Sequence, residues 1–108
     1  MNKLVMEAHE NAVAHGWWEE DRGFAEIIAL MHSELSEALE EYGNGHDPQA
    51  IYYYAQKGKP EGIPIELADV VIRIFDACGR YEIDLDEAVR IKMEYNKTRP
   101  YKHGGKKI

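Results

Sequence analysis

Apolar residues recur along this chain at intervals of three and four, the period of an α-helix, in four separate stretches. Over residues 2 to 15, Leu4, Val5, Ala8, Ala12 and Val13 share one side, and Gly16 ends this weakly amphipathic pattern. A longer pattern from about Arg22 to Tyr42 repeats Phe24, Ile27, Ile28, Met31, Leu35, Ala38, Leu39 and Tyr42 at helical spacing, and Gly43, Asn44 and Gly45 stop it. Asp47 before Pro48 predicts the N-cap and first-turn proline of a short helix. Residues 56 to 63 read as loop.

The third pattern should begin near Pro64 and end before Gly79. At about 100° per residue, Glu66, Asp69, Arg73 and Asp76 fall within roughly 80° of one another, while apolar side chains cover most of the remaining circumference. Such a helix is dry on nearly every side. A chain of 108 residues cannot easily surround it, so part of its apolar surface is expected in a subunit interface. A fourth helix opens on Asp84 as N-cap with Glu87 three residues on, and Ile83 is placed to staple against Ala88. It should run to about Thr98, ahead of Pro100. Its inward face starts as Leu85, Ala88 and Val89 but continues as Lys92, Asn96 and Arg99, which asks for an anionic neighbour. The expectation is an all-α fold of four helices in a homo-oligomeric bundle, one domain over residues 1 to 108.

Charge divides the chain. Residues 1 to 89 hold 6 Lys/Arg against 19 Asp/Glu, a charge of −13, and residues 90 to 108 hold 7 against 1, a charge of +6, so the net −7 hides a basic tail at about 97 to 108. The macrodipole of a helix C-terminus accounts for any single Lys there, though not for the whole tail. The acidic body argues against a stable nucleic-acid partner. With a lone Cys78, no apolar run of membrane-spanning length and no visible signal peptide, a soluble cytoplasmic protein is expected.

Glu34 and Glu37 lie one turn apart at the edge of the second helix's apolar stripe, and Glu66 and Asp69 repeat that spacing on the polar strip of the third. Ionised carboxylates on a dry helix cost several kcal/mol each unless cations compensate them. Arg73, Lys92 and Arg99 are one source of compensation, and Glu34 and Glu37 taken alone read first as a solvated face with Glu40 and Glu41, a balance that the Glu66 and Asp69 pair changes. A divalent ion is the other source. Four carboxylates offer hard oxygen ligands that suit Mg²⁺, with Mn²⁺ as a substitute, and suit zinc or copper poorly. Magnesium held on one side keeps positions for water and phosphates, and Lys92, Asn96, Arg99, Lys102, His103 and Lys106 supply donors for a polyphosphate. Glu34 or Glu37 would take the proton of the attacking water.

The ordered pair Glu34-Leu35-Ser36-Glu37 and Glu66-Leu67-Ala68-Asp69, 28 residues apart, resembles the hallmark of MazG-like nucleotide pyrophosphohydrolases of the all-α NTP pyrophosphatase superfamily. Gly16-Trp17-Trp18, Gly58-Lys59-Pro60-Glu61-Gly62 and the C-terminal Lys92, Asn96, Arg99 and His103-Gly104-Gly105-Lys106 extend the similarity over nearly the whole chain. The resemblance implies cleavage of a (d)NTP to a monophosphate and pyrophosphate, with Mg²⁺ on the four acids, in a dimer or tetramer. Ser33 stands where many relatives carry a further Glu, which leaves the number of metals and the choice of base open.

Trp17 and Trp18 are either packing residues or platforms for a base, and Tyr52, Tyr53 and Tyr54 either face a partner subunit or line a base pocket. His9, His15, His32 and His46 have no ligand spacing and read as structural or exposed. A di-iron protein would need Glu-x-x-His, which neither acidic pair supplies. The non-enzymatic alternative is a helical oligomer whose basic tail binds an acidic partner or nucleic acid.

Overall fold

The computed structural model describes residues 1–54 and 58–100. Four helices make up most of it: α1 (Asn2–Ala14), α2 (Phe24–Gly43), α3 (Ile63–Arg80) and α4 (Leu85–Lys97). Between α2 and α3 lies a two-stranded antiparallel sheet of β1 (Tyr52–Tyr54) and β2 (Lys59–Glu61), with Tyr52 opposite Glu61 and Tyr54 opposite Lys59.

Three helices end by the same device. After α1 the Gly16 amide donates to Val13 and the Trp17 amide to Ala12; after α2 the Gly45 amide donates to Tyr42 and the His46 amide to Glu41. These are Schellman turns, in which a left-handed residue lets two amides satisfy the last free carbonyls. Gly16 and Gly45 supply the positive φ, at 82° and 91°. The third turn, after α3, uses Glu82 at φ 54°, with the Ile83 amide donating to Cys78. Each turn fixes the direction of the next side chains, and so aims Trp17 beside α1 and His46 back toward Glu41.

α3 is the centre of the molecule, packed on one flank by α1 and on another by α2, while α4 leans on α1. Buried apolar residues are few: Val5, Ile27, Ala38, Ile63, Val70, Ala77 and Cys78. The Asp84 side chain accepts from the Glu87 amide, as an N-cap should, and also from the Asn2 side chain, which ties α4 to the start of α1.

Three expectations are corrected. Asp47 and Pro48 open a single turn closed by the Ala50 amide on the Asp47 carbonyl, not a helix. The stretch read as loop contains β2, because Tyr52–Tyr54 gives Lys59–Glu61 a partner. Helix α3 continues through Gly79. That glycine serves close packing, since a Cβ there would lie 2.5 Å from the His9 Cβ on α1.

Candidate metal centre

Glu34 and Glu37 sit in the middle of α2, and Glu66 and Asp69 in the first two turns of α3, the helix packed against it. Gly62 makes this possible locally. It precedes α3 at φ 120°, its carbonyl accepts from the Ile65 and Glu66 amides, and any Cβ on it would run into the Ala50 carbonyl. Carboxylate oxygens of Glu34, Glu37 and Glu66 come within 4.8 Å of one another. Asp69 stands outside that trio but within its field: burial first, and then the charge of Glu34, raises its pKa against the opposing pull of Arg73. It shares a cavity of 340 Å³ with Glu34, Arg73 and Trp17.

Glu66 carries the conflict. It is 9% exposed, and no hydrogen-bond donor among the described residues reaches its Oε2. Burial, a hydrogen bond with Glu37 and the charges of Glu37, Asp69 and Glu34 push its pKa up to about 7. A buried carboxyl with an orphan oxygen among other carboxylates needs either a proton or a cation. The donor set fits a divalent ion on chemical grounds, since every candidate ligand is a hard oxygen.

The cations expected from the sequence are placed unequally. Arg73 does pair with an acid: its Nε donates to Glu34 Oε1 at 2.9 Å, and Nη2 lies 2.9 Å from the same oxygen. The Arg73 and Arg22 guanidinium groups both lie over the Trp17 ring, at 4.6 and 3.9 Å from its centroid. Trp18 is bound within its own chain, with Nε1 donating to Asp76 Oδ1 at 2.9 Å, while His9 Nδ1 lies 2.8 Å from that oxygen. Lys92 and Asn96 are exposed, Arg99 is half-buried, and no residue of α4 lines the cavity at Glu34 or the one at Glu66. His103 and Lys106 lie outside the described residues.

A second group of acids was not foreseen. Glu41, Glu61 and Glu66 also bring carboxylate oxygens within 4.8 Å of one another. Glu41 had a sequence signal, standing seven residues after Glu34 and so on the same face of α2. Glu61 had none, because its place depends on pairing with β1. The Tyr52 hydroxyl donates to both oxygens of Glu41, at 3.0 and 3.1 Å. Burial and that hydrogen bond push the phenol up to about 12, so it stays a neutral donor. Lys59 reaches Glu61 at 3.3 Å, and the hydrogen bond raises the pKa of its ammonium. Burial likewise raises the Cys78 thiol, which keeps it unreactive.

No helix among the described residues is long and apolar enough to cross a membrane. No family model, curated protein or solved structure matches the chain in comparison with known proteins.

Proposed function

We propose that this chain is a Mg²⁺-dependent nucleoside triphosphate pyrophosphohydrolase, converting a (d)NTP to a (d)NMP and pyrophosphate. The observation that carries the proposal is the meeting of Glu34, Glu37 and Glu66 from two helices, with the buried Oε2 of Glu66 lacking a donor among the described residues. The resemblance of the two acidic tetrapeptides to the MazG-like pattern points the same way.

Glu34, Glu37, Glu66 and Asp69 would hold the ion. When bound there it would stabilise charge on the phosphates and make a coordinated water more acidic. The chain's own groups divide the remaining work. Glu34 is held by Arg73, whereas Glu37 is exposed and has no ion pair among the described residues, so Glu37 is the better proton acceptor for the attacking water. Arg73 and Lys59 flank the acids and limit repulsion of an incoming polyanion. Trp17 lines the cavity with Arg22 and Arg73 over its ring, so a base would stack on it by displacing one of those guanidinium groups. Lys92, Asn96 and Arg99 line neither acidic cavity of their own chain, so a grip by these three on the polyphosphate would come from a second copy.

Incubation of the purified protein with the common NTPs and dNTPs plus Mg²⁺, followed by chromatography, tests this reading. A monophosphate and pyrophosphate are the expected products. A panel inert with both Mg²⁺ and Mn²⁺ would instead favour the oligomer whose basic tail binds an acidic partner.

A further inference from the structure

The geometry points to a second divalent-cation site formed by Glu41, Glu61 and Glu66, beside the first. It relies on the proposed hydrolase centre only in that Glu66 is shared between the two.

Three elements build it: the last turns of α2 supply Glu41, β2 supplies Glu61, and the first turn of α3 supplies Glu66. Their oxygens lie within 4.8 Å of one another, and all three residues line one cavity of 330 Å³. That space accommodates an ion with several waters, each of which takes about 30 Å³. An acidic cluster alone would be a solvated patch. Here the further sign is Glu66 itself, 9% exposed, with Oε2 out of reach of any donor among the described residues and its side chain lining this cavity.

Charge argues in the same direction. Among the described residues the cavity wall has Glu37, Glu40, Glu41, Glu61 and Glu66 against a single cationic side chain, Lys59. Lys59 Nζ lies 3.3 Å from Glu61 Oε1. His46 Nε2 lies 3.4 Å from Glu41.

The wall is also oriented. Tyr52 and Glu61 are directly paired across the two strands, and paired residues share a face of the sheet. From that face the Tyr52 hydroxyl clamps Glu41, while the His46 ring stacks on Tyr52 at 4.9 Å between centroids. A donor that fixes a carboxylate ligand is the arrangement found behind metal sites. Three carboxylates, with no nitrogen or sulfur ligand grouped with them among the described residues, select a hard ion of the Mg²⁺ or Mn²⁺ class.

Mn²⁺ titration of the full chain by calorimetry, with electron paramagnetic resonance as a count of bound ion, tests the site. Two Mn²⁺ per chain are expected for the natural sequence. Glu61→Gln should leave one, Glu34→Gln should weaken the other, and Tyr52→Phe, which keeps the stacked ring, should weaken the second ion about 10-fold while sparing the first. Far-UV circular dichroism checks that each variant is folded. One Mn²⁺ per chain, or two whose affinities Glu61→Gln and Tyr52→Phe leave unchanged, would overturn the proposal. Nucleotide turnover separates the two readings: two ions without hydrolysis would retain this site and remove the hydrolase, and hydrolysis with a single ion would do the reverse.

Discussion

A carboxyl group that loses water and gains acidic neighbours holds its proton more tightly, and Glu66 is in that position, at about 7 against an ordinary 4.5. The folded chain therefore binds more protons than the unfolded one between those values. Stability is fully present below about 4.5 and is lost as pH rises through about 7, by roughly 3 kcal/mol. Asp69, also raised, adds to the same trend. Thermal melts of chelator-treated protein should thus show a melting temperature that falls from pH 5 to pH 8, and Mg²⁺ should restore it at pH 8 by binding only the folded state. Glu66→Gln removes the charge while keeping the shape. It should flatten the pH dependence, melt higher than the natural sequence at pH 8 without metal, and abolish both Mg²⁺ stabilisation and turnover. A variant with full activity would remove Glu66 from the proposed metal site. Spacing made Glu34, Glu37, Glu66 and Asp69 legible in the sequence, because a separation of three on a helix fixes which side chains are neighbours. Glu61 and Tyr52 were not legible, since strand pairing between residues nine apart leaves no periodic trace.

At the scale of elements, the helices were readable because each repeats its apolar residues over several turns, and the caps at Gly16, Gly45 and Asp84 follow local chemistry. The hairpin was unreadable because its three-residue strands are too short for alternation to register. Gly79 misled for a different reason: a glycine in a helical pattern signals either a stop or a close approach, and only the position of α1 decides between them. Two substitutions test these roles with opposite signs. Gly79→Ala gains about 1 kcal/mol of helix propensity but drives a Cβ to 2.5 Å from the root of His9, an overpacking that costs typically 1–3 kcal/mol. The clash wins, because a Cβ cannot move without its backbone, and urea unfolding should show a lower midpoint. Glu82→Gly relieves a left-handed non-glycine residue whose conformation costs roughly 1–2 kcal/mol, in the Schellman turn that ends α3. It should raise the midpoint by an amount equivalent to about 1 kcal/mol, the remainder being lost to greater freedom of the unfolded chain.

The whole molecule exposes more than a chain of its mass should. Its accessible surface is 8371 Å², where a folded monomer of 12.4 kDa has about 6,100 Å². Its radius of gyration is 16.8 Å against about 13 Å for a compact domain of this length. Part of the exposed surface is apolar and lies on helices. Phe24, Ile28, Leu35, Leu39 and Tyr42, all exposed, fall within roughly 60° of one another around α2, and Leu67, Val71 and Ile72 are exposed on α3. The excess area, roughly 2,200 Å² per chain by that comparison, is in the range that obligate dimers bury. The sequence expectation that α3 needs a partner for its apolar sides rests on the same imbalance between apolar surface and chain length. The expected outcome is a light-scattering mass that is a multiple of 12.4 kDa at micromolar concentration. Leu39, 71% exposed, is the sharpest probe. On a monomer Leu39→Glu would change stability by about 0.5 kcal/mol at most, as surface substitutions do. In an interface it places a charge against apolar side chains at a cost of several kcal/mol, and should split the assembly and lower its melting temperature together. A single-chain mass for the natural sequence, with Leu39→Glu melting at the same temperature, would show that this stripe faces water, and no second α4 would then be at hand to reach the acids.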